Sequence, residues 1–156
     1  MKLVGDYHTH TIYSHGKGTI EENVLAGIDA GLKEIGISDH GSGHVFFGIK
    51  RDKLPIMRAE IDEMNDKYGD KIKVLMGVEA NFLDFNGNLD VLDSELKYFD
   101  YIACGYHYGI IPKGLNAKYG FWVLDRLQGI SKSARNQFMK MTTDSLIKAT
   151  YNYDIK

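Results

Sequence analysis

The sequence predicts an α/β fold built on parallel strands, and three observations predict it. Apolar runs of strand length alternate with amphipathic segments of helical period. The run "IKVLMGVEA" (72–80) is almost continuously apolar, the pattern of a strand covered on both faces. Seventeen glycines stand against two prolines, so Gly punctuates turns and element ends while little in the chain forces an element to break.

The elements follow in order. Residues 2–11, "KLVGDYHTHT", read as a short strand ending in polar residues. "TIEENVLAGIDAGL" (19–32) reads as a helix. Thr19 and Glu22 have capping-box spacing, Ile20, Val24, Leu25, Ile28 and Leu32 form an apolar stripe, and Gly31 lies near the end. "EIGISDH" (34–40) is a second strand. Beyond a glycine-rich loop, "LPIMRAEIDEMNDKYG" (54–69) is a second helix. Pro55 opens it, Ile56, Met57, Ile61, Met64 and Tyr68 mark its buried side, and Gly69 stops it. The apolar run 72–80 is the third strand. "FLDFNGNLDV" (82–91) has the form of a small hairpin with Asn86-Gly87 in its turn. "DSELKYF" (93–99) reads as a short helix and "YIACGYHYG" (101–109) as the fourth strand. Residues 110–130 read as a long loop, 133–153 as a last helix, and "DIK" (154–156) as the opening of a fifth strand.

The chain of 156 residues is expected to form a single domain, 1–156, large enough to bury a core. A closed (β/α) barrel usually takes about 200–250 residues. The strand–helix units here stop as the next one begins, which would leave an unpaired sheet edge. The expected fold is therefore the N-terminal part of a barrel, incomplete at its C-terminus. A complete doubly wound sheet of four or five strands is the alternative.

Strand side chains alternate, so His8 and His10 share a face and can reach one cation together. His15 follows in a glycine-rich turn, "HGKG", that could fold it back. The second strand ends in Ser38-Asp39-His40, the third in Glu79 and the fourth in His107. Each metal-capable side chain sits at the C-terminal end of an apolar strand. In parallel α/β folds those ends converge on one rim, where sites lie. Taken singly, an H-x-H is ordinary surface histidine, and Glu79 is a buried carboxylate in an ion pair. Taken together, five imidazoles and a carboxylate at one rim are costly to bury unless a cation compensates them. Cys104 lies inside a strand and reads as core.

These residues carry a family resemblance. "HTHTIYSH", "ISDHG", "GVEAN" and "CGYHYG" resemble, in order, successive motifs of the PHP (polymerase and histidinol phosphatase) family, and "GVEANFLDFNGNLD" followed by "YFDYIACGYH" resembles its stand-alone phosphatase-like branch. The resemblance implies a distorted (β/α)7 barrel with up to three divalent ions, Zn, Mn or Fe. It implies that His8, His10 and Glu79 hold one ion, that Glu79 bridges to a second shared with His107, and that His15 and His40 hold a third. Asp39 is implied to orient a neighbouring imidazole. The family's later ligands, a histidine in an "HP" motif and an Asp-x-His pair, are not in this chain, so its centre is expected to be incomplete.

The implied activity is hydrolysis of a small phosphomonoester by a metal-bound hydroxide, the ions also offsetting charge on the phosphoryl group. His44, Lys50, Arg51 and Lys113 lie in loops where they could meet phosphate or protonate the leaving oxygen; His44 is favoured because it is tethered close to His40. Alternatives are a metal-dependent amidohydrolase, which also opens on H-x-H, and a non-catalytic metal-binding PHP module of structural or regulatory use. A net charge of -2 offers no basic track for nucleic acid, and no apolar run approaches the roughly 20 residues of a membrane span. The N-terminus enters polar residues at once, and one cysteine among 156 residues suits a reducing cytoplasm, the expected compartment.

Overall fold

Among the described residues, four parallel strands lie side by side in chain order and curl into an open half-barrel. β1 spans Gly5–Thr9, β2 Glu34–Ile37, β3 Lys73–Asn81 and β4 Tyr101–Gly105, each paired in parallel with the next. The computed structural model describes residues 3–153. The expected opening of a fifth strand at 154–156 lies outside the described residues.

The crossovers pass through helices. α1 (Ile20–Asp29) joins β1 to β2, and α2 (Leu54–Tyr68), led by a 3-10 turn at Arg51–Lys53, joins β2 to β3. The α1 start follows the capping-box reading. The Glu22 N–H donates to Thr19 Oγ1 at 3.2 Å while the Thr19 N–H donates to Glu22 Oε2 at 2.7 Å. Thr19→Ala is expected to cost about 1 kcal/mol of unfolding free energy, read by urea denaturation. α2 buries Leu54, Met57, Ile61 and Met64, a 3-4-3 spacing that keeps one face down. Ile56, expected on that face, is exposed, because Leu54 takes the place one turn before Met57. Leu25 of α1 is likewise exposed, the buried line running through Ile20, Val24 and Gly27. Asn65 pins the end of α2 to β3, donating to the Val74 carbonyl at 2.8 Å and accepting from its N–H at 2.9 Å.

β3 passes through two cores. Val74 and Met76 pack with α1 and α2, and Val78 and Ala80 pack with the C-terminal third of the chain. Between β3 and β4, the 82–91 segment closes by one bridge, Phe82 to Leu89, and a 3-10 turn follows at Asp93–Tyr98. The expected long loop at 110–130 is largely helical: α3 (Leu115–Lys118), a π-helical turn (Tyr119–Leu124) and α4 (Asp125–Leu127). Its Ala117, Phe121 and Leu124 are buried, so tertiary packing, not local period, sets that segment. α5 (Lys132–Asn152) docks on the 82–89 segment, where Ser145 Oγ donates to the Asp84 carbonyl at 3.0 Å. Among the described residues no helix is long and apolar enough to cross a membrane.

Candidate metal centre

The site is assembled around Glu79. β3 carries it at the point where the β2–β3 pairing, broken after Ile37, is resumed by a bridge between His40 and Glu79. The backbone fixes both residues there, since the Glu79 N–H donates to the Asp39 carbonyl and the Gly41 N–H to the Glu79 carbonyl. His40 Nδ1 lies 3.1 Å from Glu79 Oε2. On β1 and just past its end, His8 and His10 place their Nε2 atoms 3.3 Å from that same oxygen. His107, just past β4, places Nε2 2.9 Å from the other oxygen, Oε1. Four imidazoles from three strand ends thus face one carboxylate.

His15 is brought in by its loop. The N–H groups of Ser14 and Gly16 both donate to the Thr11 carbonyl. Gly16 then presses so closely on β1 that a Cβ there would stand 2.4 Å from the His10 carbonyl oxygen. This tight return sets the His15 ring 4.4 Å from that of His10 and 4.9 Å from that of His40, centroid to centroid.

Three overlapping groups could each hold a cation: His8, His10 and Glu79; His40, Glu79 and His107; and His10, His15 and His40. Their electrostatics suit that use. Burial alone would raise the Glu79 carboxyl, but the facing imidazoles of His107, His8 and His40 outweigh it and hold it below the usual range, ionised. Burial pushes His40 down to about 4 against the pull of Glu79, so its ring is neutral and keeps a lone pair at neutral pH. Although so close to Glu79, the buried His40 Nδ1 makes no hydrogen bond, and neither does His107 Nδ1. Unsatisfied imidazole nitrogen beside an anionic oxygen fits a divalent cation.

Asp39 and His44 stand outside all three groups. Asp39 is fully buried and saturated: it accepts from the Thr11 N–H at 2.7 Å, from Thr11 Oγ1 at 2.5 Å and from Ser14 Oγ at 2.5 Å. His10 Nδ1 is 3.7 Å from it. Burial opposes its charge, but those hydrogen bonds prevail and keep its carboxyl below the ordinary value. His44 stacks 4.9 Å from His40. Its Nδ1 accepts from the N–H groups of Phe46 and Phe47 at 3.3 and 3.1 Å, which leaves the proton on Nε2. Burial, with His107 nearby, lowers its pKa and keeps the ring neutral.

A PHP domain profile matches residues 6–154. The chain belongs to the PHP domain family. A relative named a probable phosphatase, from Thermoanaerobacter sp., is 36% identical over 114 residues, covering 69% of this PHP domain and 42% of that protein. The chain spans about half the length of the curated relatives it matches. Two solved structures share the fold at 20% identity. A candidate histidinol phosphatase, hisK, of Listeria monocytogenes has a TM-score of 0.58 over 85% of this chain and 60% of its own. The histidinol phosphate phosphatase of Lactococcus lactis, solved with zinc, L-histidinol and phosphate, has a TM-score of 0.50 over 81% and 54%.

Several residues that shape this PHP site carry no signal in the sequence. Asp90, after the 82–89 segment, accepts from the Gly43 N–H at 2.8 Å and from the Asn81 N–H and Nδ2, tying the His44 loop to β3. Phe47 lays its ring against those of His15, His40 and His44. Arg51, a candidate for phosphate, is committed instead to Glu95 and the Asp90 carbonyl. Cys104 packs against the core, and burial pushes its thiol up, away from reactivity.

Proposed function

We propose that this PHP domain belongs to a metal-dependent phosphoesterase acting on a small phosphomonoester. One observation carries the reading: four imidazoles aim at the two oxygens of Glu79, with a fifth, His15, stacked behind them. In this reading His8, His10 and Glu79 would hold one ion, Glu79 would be shared with a second held with His107, and His15 and His40 would hold a third, each neutral ring giving its one lone pair to one ion. The sequential parallel order β1-β2-β3-β4 supports placing them in a distorted (β/α)7 barrel. Relatives named probable phosphatases support the activity, and the zinc, L-histidinol and phosphate bound by the Lactococcus lactis protein fit the substrate class.

Divalent ions supply Lewis acidity toward phosphate oxygens and acidify water. The chain's own groups do the rest. Glu79 stays ionised and offsets cationic charge, while neutral His40 presents nitrogen rather than a proton. Asp39 holds the Thr11–Ser14 turn under His10 and His15 and so fixes their approach. His44 offers Nε2–H from a neutral ring locked at Nδ1, and in this reading it would donate a hydrogen bond, rather than transfer a proton, to a phosphate or leaving oxygen.

The test joins elemental analysis of the purified protein to hydrolysis of p-nitrophenyl phosphate and histidinol phosphate with zinc, manganese or iron. His10→Ala, which removes a member of two donor groups, is expected to lower turnover by at least about 100-fold. Undiminished turnover by chelator-stripped protein, or turnover of amides in place of phosphate esters, would overturn the proposal.

A further inference from the structure

The strand that carries His8 leaves plain register. β1 pairs with β2 at Asp6–Ile35 and again at Thr9–Ile37, so Tyr7 and His8 together stand opposite Gly36 alone. Such a bulge takes a backbone group out of the ladder and re-aims the side chains around it. The carbonyl of Tyr7 finds its partner far away: it accepts from the Tyr101 hydroxyl at 2.6 Å. Tyr101 opens β4, at the opposite edge of the sheet.

To make that bond the Tyr101 ring crosses the concave face over β3 and β2. A Cβ on Gly77 would stand 2.2 Å from Tyr101 Cζ, and a Cβ on Gly36 would stand 2.1 Å from its hydroxyl oxygen. Glycine on both intervening strands leaves the path open. At the far end the Tyr7 ring meets Tyr101 edge-on, 6.2 Å between centroids, and the Tyr7 hydroxyl is bound to Glu34. The bulge is braced on either side as well. The His8 N–H donates to Asp6 Oδ1 at 3.0 Å, and Thr9 Oγ1 donates to the Gly36 carbonyl at 2.8 Å.

We propose that Tyr101 is a positioning residue for the centre: from β4 it spans the concave face, fixes the Tyr7–His8 bulge of β1, and thereby aims His8 and His10 at Glu79. Its consequence for cation affinity rests on the metal reading above; its effect on the bulge does not. Burial raises the Tyr101 hydroxyl to about 12, so the donor is intact across the working pH range. If the residue served only to cover the sheet, the ring alone would suffice and the hydroxyl would be dispensable.

Tyr101→Phe separates these cases. In the metal-free protein, imidazole resonances of His8 and His10 are expected to shift in Tyr101→Phe while those of His44, held by two backbone amides, stay in place. In competition with a chromophoric chelator, zinc affinity is expected to fall about tenfold, as for other groups that orient metal ligands. A second arm uses the glycine floor. Gly77→Ala alone drives a Cβ into the ring and is expected to reproduce the loss. Combined with Tyr101→Ala it adds no further loss, because the atoms it would strike are gone. Unmoved His8 and His10 resonances in Tyr101→Phe, or additive losses in the double variant, overturn the proposal. Should the wild-type protein take up no zinc, the metal reading falls by itself, and the metal-free spectra still decide whether Tyr101 sets the bulge.

Discussion

Glu79→Gln is expected to lower cation uptake by more than about 100-fold while leaving the fold intact. The change exchanges one oxygen for an amide nitrogen and keeps the shape. It removes the anionic charge from two of the three donor groups at once. Losing a group that merely orients a ligand costs about 10–100-fold in affinity, so losing a carboxylate shared between two groups costs more. The new amide N–H also donates to imidazole nitrogens that lie 2.9–3.3 Å from the carboxylate oxygens, and those hydrogen bonds compete with any cation. Zinc competition titration and elemental analysis after dialysis measure the loss, and circular dichroism checks the fold. Wild-type stoichiometry and affinity in the Glu79→Gln protein would remove Glu79 from the centre.

Asp39→Ala is expected to act on stability first, lowering the unfolding free energy by about 3–5 kcal/mol and the thermal midpoint by roughly 6–20 °C. Three donors lose their acceptor together: the Thr11 N–H, the Thr11 hydroxyl and the Ser14 hydroxyl. All lie on the turn that carries the chain from His10 to His15, and a buried donor left without a partner costs about 1–3 kcal/mol. The dependence on acid carries the same signature. Because the folded-state pKa of Asp39 is lowered, its contribution is present above the ordinary carboxylate pKa and is lost as pH falls through the lowered value. The wild-type protein therefore loses stability on the acid side more steeply than Asp39→Ala. Urea unfolding at pH 7 and in the acid range measures both effects. A variant within about 0.5 kcal/mol of wild type at pH 7 would show that the turn is held by something else.

The readable part of the fold came from periodicity and caps. The capping box at Thr19 and Glu22, the Met57–Ile61–Met64 face and the apolar third strand each depend on spacing within one element, and the structure has them where spacing puts them. Where structure and local pattern part, packing from elsewhere decides. Ile56 lost its place to Leu54, and the 110–130 segment became helical by burying Ala117, Phe121 and Leu124 against the core. The same holds at the site. The strand-end positions of His8, His40, Glu79 and His107 were visible in the sequence, since a period of two and the parallel arrangement send them to one rim. Asp90, Phe47 and Tyr101 were not, because each acts on a residue distant along the chain and leaves no pattern around itself.

The amino-acid sequence by itself determined the four strands and the helices α1, α2 and α5, and which rim of the sheet collects the histidines, because those follow from contacts within an element and from the handedness of parallel crossovers. Only the tertiary structure decided how the imidazoles share Glu79, how Asp39 folds the His15 turn back, and how Tyr101 crosses two glycines to reach β1. Those are matters of ångströms between atoms from separate strands, and they are settled by the simultaneous packing of all four.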